Sequence, residues 1–138
     1  FVAPLAPEKA VAYWQEVAQD VSQGNTLLFA ALDAGRAVGS VQLSLAWQPN
    51  APHRAEVQKL LVHSDYRRRG VASRLMQVAE DAAKSADRWL LYLDTERSSG
   101  AEPLYEKLGY TRSGIIPQHS LNAGGEFADT VIFYKLLR

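Results

Sequence analysis

The sequence predicts a mixed α/β fold: a central sheet with parallel and antiparallel strands, flanked by helices. Three observations carry this. Segments of period-two and helical apolar patterning alternate through residues 7–108. Within them a strand, a helix and a second strand follow one another over 54–94, and such a unit pairs its strands in parallel through a right-handed crossover. Last, two strand-like segments flank a glycine-bearing loop at the end of the chain and pair as a hairpin.

Pro7 to Ser22 reads as the first helix, because Val11, Trp14, Val17, Ala18 and Val21 recur at helical spacing and Gly24 follows as a stop. Packing against the core is its first reading; the alternative is that Tyr13 or Trp14 lines a substrate pocket. Thr26 to Leu32 and Ala37 to Trp47 alternate and are joined by Asp33-Ala34-Gly35-Arg36, which predicts a hairpin. The turn formers Gln48 to His53 lead into the next strand, and His53 reads as a solvated loop residue, with no second histidine at metal spacing. In the strand Arg54 to Val62, strict alternation puts Glu56, Gln58 and Leu60 on one face and Val57, Lys59 and Leu61 on the other. Val71 to Lys84 is an amphipathic helix with Val71, Leu75, Val78, Ala79 and Ala82 on its apolar face. Arg88 to Asp94 is the strand after it, with Asp94 at the carboxyl end, where ligands of such units sit. A short helix, Ala101 to Leu108, stops at Gly109, and Tyr110 to Ile115 and Ala128 to Leu137 close the fold as strands. The loop Pro117 to Gly125 between them is long, which suits a functional border, and His119 or Glu126 would then face the substrate; plain exposure is the other reading.

Composition limits what the fold does. A chain of 138 residues with 47% apolar content is one domain, residues 1–138. Fifteen basic residues balance fifteen acidic ones, so no global field recruits nucleic acid or an anionic membrane, and any anion site must be local. The absence of cysteine removes disulfides, thiolate metal ligands and an acyl-cysteine intermediate. Neither a membrane-length apolar run nor a signal peptide is visible, which makes a cytoplasmic location the expectation.

The chemistry concentrates in Arg54 to Met76. A strand runs into the basic turn Arg67-Arg68-Arg69-Gly70 and then into the opening of a helix. The first amides of a helix have no internal partner and carry the positive end of its dipole, so an anion fits there. The arginines add charge, and Gly70 lets the backbone approach a ligand.

Arg67-x-x-Gly70-x-Ala72 after a strand resembles the pyrophosphate-binding signature of the GNAT superfamily of acyl-CoA-dependent N-acyltransferases. Ala101 to Tyr110, a helix carrying Tyr105 and ending at Gly109-Tyr110, resembles its second signature, in the same order. The runs Val41 to Leu45, Arg54 to Leu60, Leu93 to Glu96 and Tyr110 to Arg112 extend the likeness over nearly the whole chain, toward members that modify a bacterial toxin. Since the family ordinarily has a strand and helix ahead of the matched region, and Phe1 is not an initiator methionine, the natural product is expected to extend further upstream.

The resemblance implies transfer of an acetyl group from acetyl-CoA directly to an amine. Arg67, Arg68, Arg69, Gly70, Val71, Ala72 and Ser73 would hold the diphosphate. Backbone amides near Leu61 and Val62 would stabilise the oxyanion beside the pantetheine arm. Tyr105 would donate a proton to the departing thiolate, against the alternative of a packed core aromatic. An alkyl amine is mostly protonated at neutral pH, so a carboxylate must collect its proton, and Glu56 and Asp94 are the two acids on adjacent central strands. For Glu56 an ion pair with Arg54 or Lys59 is the competing reading. Where many family members carry asparagine this chain has Ser98, which suits a helix cap. The expected acceptor is a small-molecule amine, with toxins and antibiotics among the candidates, and the expected assembly a homodimer. No metal, nucleic acid or membrane partner is called for. The rival is a non-catalytic acyl-CoA-binding or sensory domain on the same fold.

Overall fold

The computed structural model describes residues 6–138. Helix α1 (Pro7–Ser22) precedes strands β1 (Thr26–Asp33), β2 (Arg36–Leu45) and β3 (Arg54–Val62). A turn of 3₁₀ helix at Ser64–Tyr66 leads to α2 (Val71–Ser85), then β4 (Leu90–Glu96), α3 (Glu102–Lys107), β5 (Thr111–Leu121) and β6 (Phe127–Leu136). The six strands form one sheet in the order β1-β2-β3-β4-β6-β5. Among the described residues only β3 and β4 pair in parallel, with α2 as the crossover, so the mixed α/β class and the parallel unit read from the sequence are both present.

The core lies between α2 and the sheet. Val41, Leu43, Ala55, Val57, Leu91, Leu93, Val131 and Phe133 come from the strands, and Leu75, Met76, Ala79 and Ala83 from α2. The buried face of α2 is therefore turned from the predicted one: Met76, Glu80 and Ala83 are buried, whereas Val78 and Ala82 are only half-covered. Glu80 tolerates burial because Lys135 Nζ on β6 lies 2.8 Å from its Oε1 and the Tyr110 hydroxyl donates to its Oε2 at 3.1 Å. Lys135 also donates to the Leu108 carbonyl at 2.8 Å, tying α2, β6 and the end of α3 together. Burial and the adjacent Glu80 carboxylate push the Tyr110 phenol far above its ordinary pKa, so it stays a donor.

Three expectations need correction. Helix α1 buries only Val17 of its apolar stripe; Val11, Trp14 and Val21 remain substantially exposed, so the helix is a lightly docked wall rather than a core element. The last hairpin is longer than predicted, because β5 runs on to Leu121 and the turn shrinks to residues 122–126, with Asn122 N–H donating to the Glu126 carbonyl at 2.8 Å. His119 consequently sits exposed within β5, in the irregular stretch between Ile116 and Ser120 where the ladder to β6 shifts register. His53 lies in the predicted loop but is only half-exposed: its ring packs on Trp89 with centroids 4.6 Å apart, and its carbonyl accepts from the amides of Trp89 and Leu90.

The remaining departure shapes the site. Gln42 pairs with Gln58 but Ser40 pairs with Leu61, so β3 carries an extra residue there, and Lys59 takes φ +51°. This bulge reverses the alternation beyond it. Leu60 packs with Val57 against the core, while Leu61 joins Glu56 and Gln58 on the other side, the reverse of the predicted assignment. The parallel ladder to β4 covers only Arg54–Glu56 against Leu90–Tyr92; both strands continue beyond it unpaired with each other.

Gly39 on β2 shows how tightly this end of β3 is held. A Cβ there would stand 3.1 Å from the Leu61 carbonyl oxygen and 3.1 Å from Val71 Cγ1. Gly39→Ala is expected to destabilise the fold by about 1–3 kcal/mol, the usual range for overpacking. Thermal unfolding checks it; an unchanged Tm would show that β3 and α2 yield without cost.

Candidate active site

Where β3 and β4 part, a cavity of about 710 Å³ opens. Residues Glu56 to Leu61 line it from β3, Leu93 to Glu96 from β4 and Tyr105 from α3. Gln42 and Ser44 of β2, Thr26 of β1 and Tyr13, Glu16, Val17 and Asp20 of α1 complete the wall. Glu56 and Asp94 thus share one cavity. Glu56 forms no ion pair with Arg54; instead the Tyr92 hydroxyl donates to Glu56 Oε2 at 3.3 Å. Burial, then the Glu56 charge, raises the Tyr92 phenol pKa, so the donor is retained. Asp94 is exposed to the cavity and accepts a long contact, 3.5 Å, from the buried Thr130 hydroxyl, which also donates to the Thr95 carbonyl at 3.1 Å.

Tyr105 is 6% exposed, packed against Tyr110 and Phe133 with ring centroids 6.0 and 5.7 Å away. Among the described residues its hydroxyl has no hydrogen-bond partner. Burial first, and the Asp94 charge second, push its pKa up to about 12. At neutral pH the phenol is therefore fully protonated, a donor with nothing to donate to within the fold.

A second cavity, about 330 Å³, holds the predicted cradle: Val62, Arg67, Arg68, Gly70, Val71, Ala72 and Ser73 line it, with Tyr66, Gly100 and Leu104. Gly70 is the N-cap of α2 at φ +78°, no side chain caps the helix, and a Cβ at Gly70 would meet nothing within 4 Å. The space before the first amides of α2 is open, and no acid stands in that first turn. An anion therefore fits. Arg69 is the one predicted cradle residue set apart: its guanidinium lies over the Tyr66 ring at 5.1 Å, and it borders grooves beside β1 and β2 instead.

Leu61 borders the first cavity and Val62 the second, so β3 links the two. His63 N–H donates to the Val38 carbonyl at 2.8 Å. Alternation in an antiparallel ladder then turns the Val62 N–H away from β2, to the side from which β4 has diverged.

Sequence reasoning missed the α1 and β2 contributions, apart from the alternative reading of Tyr13. Tyr13 accepts a hydrogen bond from Gln42 Nε2 at 2.9 Å, while Trp14 borders a separate apolar groove of about 500 Å³. Ser40, Gln42 and Ser44, polar at alternate positions of β2, were the available signal.

Ser98 does not cap α3. It sits at φ +65°, its N–H donates to Glu102 Oε2 at 3.0 Å, and Ser99 Oγ accepts the Ala101 N–H at 3.4 Å. Left-handed backbone suits asparagine better than serine. Ser98→Asn is expected to raise stability by up to about 1 kcal/mol, read by chemical denaturation; a loss would mean that the serine hydroxyl has a role there.

The sequence profile of the Acetyltransferase (GNAT) family matches residues 3–110. The chain belongs to the GNAT family. Acetyl transfer is the activity of that family. N-alpha-acetyltransferase 30 of Schizosaccharomyces pombe is 29% identical over 108 residues, spanning 78% of this chain and 72% of that protein. Among solved structures, aminoglycoside 6'-N-acetyltransferase complexed with coenzyme A superposes with TM-score 0.73 at 19% identity, covering 89% of this chain and 79% of that one. YncA of Salmonella typhimurium with its cofactor acetyl-CoA superposes with TM-score 0.78 at 18% identity, covering 97% and 75%. At these identities the structural likeness establishes the shared fold. No described helix of this GNAT chain is long and apolar enough to cross a membrane.

Proposed function

We propose that this acetyltransferase acetylates a small-molecule amine in the 710 Å³ cavity. The observation that carries the reading is the convergence of Glu56, Asp94 and the unpartnered Tyr105 hydroxyl on one cavity that opens where β3 leaves β4. Acetyl-CoA supplies the thioester. Arg67, Arg68 and the amides of Val71, Ala72 and Ser73 hold its diphosphate, and the gap between the strands takes its acyl arm. The Val62 amide, turned toward that gap, donates to the oxyanion.

Glu56 and Asp94 divide two tasks, removal of a proton from the amine and orientation of the cation. Tyr105 supplies a hydrogen bond to the sulfur as charge develops there. With a pKa of about 12 it is a weaker acid than a thiol, whose pKa is roughly 8.5, so full proton transfer from it is uphill while donation of a hydrogen bond is not.

A toxin or antibiotic is the acceptor class suggested by the runs that resemble the toxin-modifying tabtoxin resistance protein. A second reading, a polypeptide amino terminus, is favoured by the relative named N-alpha-acetyltransferase. A screen of small amines and of peptides with free amino termini, using acetyl-CoA and thiol release as readout, separates the two. Preferential turnover of the peptides would overturn the small-molecule reading, and acetyl-CoA binding without acceptor-dependent release would favour a sensory domain.

A further inference from the structure

The α1 wall of the cavity carries Glu16 and Asp20, one helical turn apart and facing the same space. Among the described residues neither carboxylate makes an ion pair or a side-chain hydrogen bond. Their placement opposes helix stability. Like charges at this spacing repel, and Asp20 lies close to the negative end of the α1 dipole, where the last turn holds no basic residue. Glu56, Asp94 and Glu96 stand on the strands bordering the same cavity, so among the described residues five carboxylates line it and Lys59 is the one basic lining residue. The Tyr105 hydroxyl, on a side chain more than nine-tenths buried and without a partner among the described residues, opens on the same space, so bound ligand atoms complete the polar lining that the fold leaves unpaired. A cavity of about 710 Å³ has room for a reacting amine and for a second charged group beyond it.

We infer that the acceptor is an oligoamine with at least two cationic nitrogens, the reacting one between Glu56 and Asp94 and the other held by Glu16 and Asp20. This rests on the reading of the cavity as the acceptor site. Two carboxylates that cost the helix something when alone become favourable once a cation bridges them, and a singly charged amine has nothing to offer them. The reaction converts R–NH3⁺ and acetyl-S-CoA into R–NH–CO–CH3, CoA-SH and H⁺. The amine nitrogen forms a bond to the acyl carbon, the carbon–sulfur bond breaks, one ammonium proton ends on the thiol and one is released to solvent. The second nitrogen keeps its charge throughout.

The test compares putrescine with butylamine, equal in carbon count and differing in one terminal ammonium. For the unaltered enzyme kcat/KM is expected to favour putrescine by about fivefold, the upper end for one solvated charge interaction. In the double variant E16Q/D20N this ratio should fall to about one through a rise in KM for putrescine, and raising salt to about 1 M should compress it in the unaltered enzyme. Because the salt experiment needs no variant, a folding defect in E16Q/D20N does not decide the outcome. A ratio near one in the unaltered enzyme, or a salt-insensitive ratio that survives the double substitution, overturns the inference. If no amine is turned over, the catalytic reading of the cavity fails, and calorimetry still decides the cation site. Tighter binding of putrescine than butylamine that is lost in E16Q/D20N supports it, and equal binding sinks it.

Discussion

Replacing Glu56 and Asp94 together by glutamine and asparagine is expected to lower kcat by roughly 10²–10⁴-fold, the range associated with general acid–base catalysis. The amides keep the shape of the cavity but cannot take a proton, and neither residue touches the cradle around Gly70, so acetyl-CoA affinity should hold. Single substitutions should cost less, because the partner carboxylate still lines the same space. The proton-acceptor role predicts a specific pH response. An alkyl amine has a pKa of roughly 10.4, so raising the pH supplies more free amine and makes a base less necessary. The deficit of the double variant should therefore shrink steadily between neutral pH and about pH 10. A deficit of constant size across that range would mean that the carboxylates act on the acceptor in some way other than deprotonation.

Tyr105→Phe is expected to reduce kcat by about 10- to 100-fold, corresponding to loss of one hydrogen bond to a charged sulfur, while leaving acetyl-CoA affinity near normal. The pH dependence separates this role from that of an ionising catalyst. Burial and Asp94 hold the phenol protonated up to about pH 12, so its donor is present throughout the working range. The loss in the variant should then be the same at pH 7 and pH 9. A basic limb near pH 9 that disappears in the phenylalanine variant would show that Tyr105 titrates in that range and would refute the assignment. Stability moves in a predictable direction as well. A phenol whose folded pKa is raised stabilises the fold below its unfolded value near 10, and that contribution fades as pH rises through the folded value of about 12. Part of the alkaline destabilisation of the unaltered protein should therefore be absent in Tyr105→Phe, while the contribution of Tyr110 remains.

Much of the site could be read in advance because its parts are local. Gly70 and the amides of Val71 to Ser73 belong to a few consecutive residues, and strand-turn-helix patterning is enough to place them. The face of Glu56 and the position of Asp94 at the end of its strand followed from alternation and the parallel crossover. Where alternation broke, the reading broke with it. Nothing in Gln58-Lys59-Leu60-Leu61 announces that one residue is extra, so Leu60 and Leu61 were assigned to each other's side. The placement of Arg69 was hidden for a different reason: a run of three arginines has charge but no direction, and only the packing over Tyr66 sets which way this one turns.

By itself the sequence determined the class of fold, the parallel unit and the strand-turn-helix passage through Gly70 into α2, because periodicity and backbone preference act over a handful of neighbouring residues. The tertiary structure alone decided that Glu80 meets Lys135, that β3 parts from β4 after Glu56, and that α1 brings Glu16 and Asp20 to the cavity opposite Asp94. These join residues far apart in the chain, across contacts that exist only once strands have paired and helices have docked. Local patterning specifies which face of each element is apolar, but leaves open which partner that face will find.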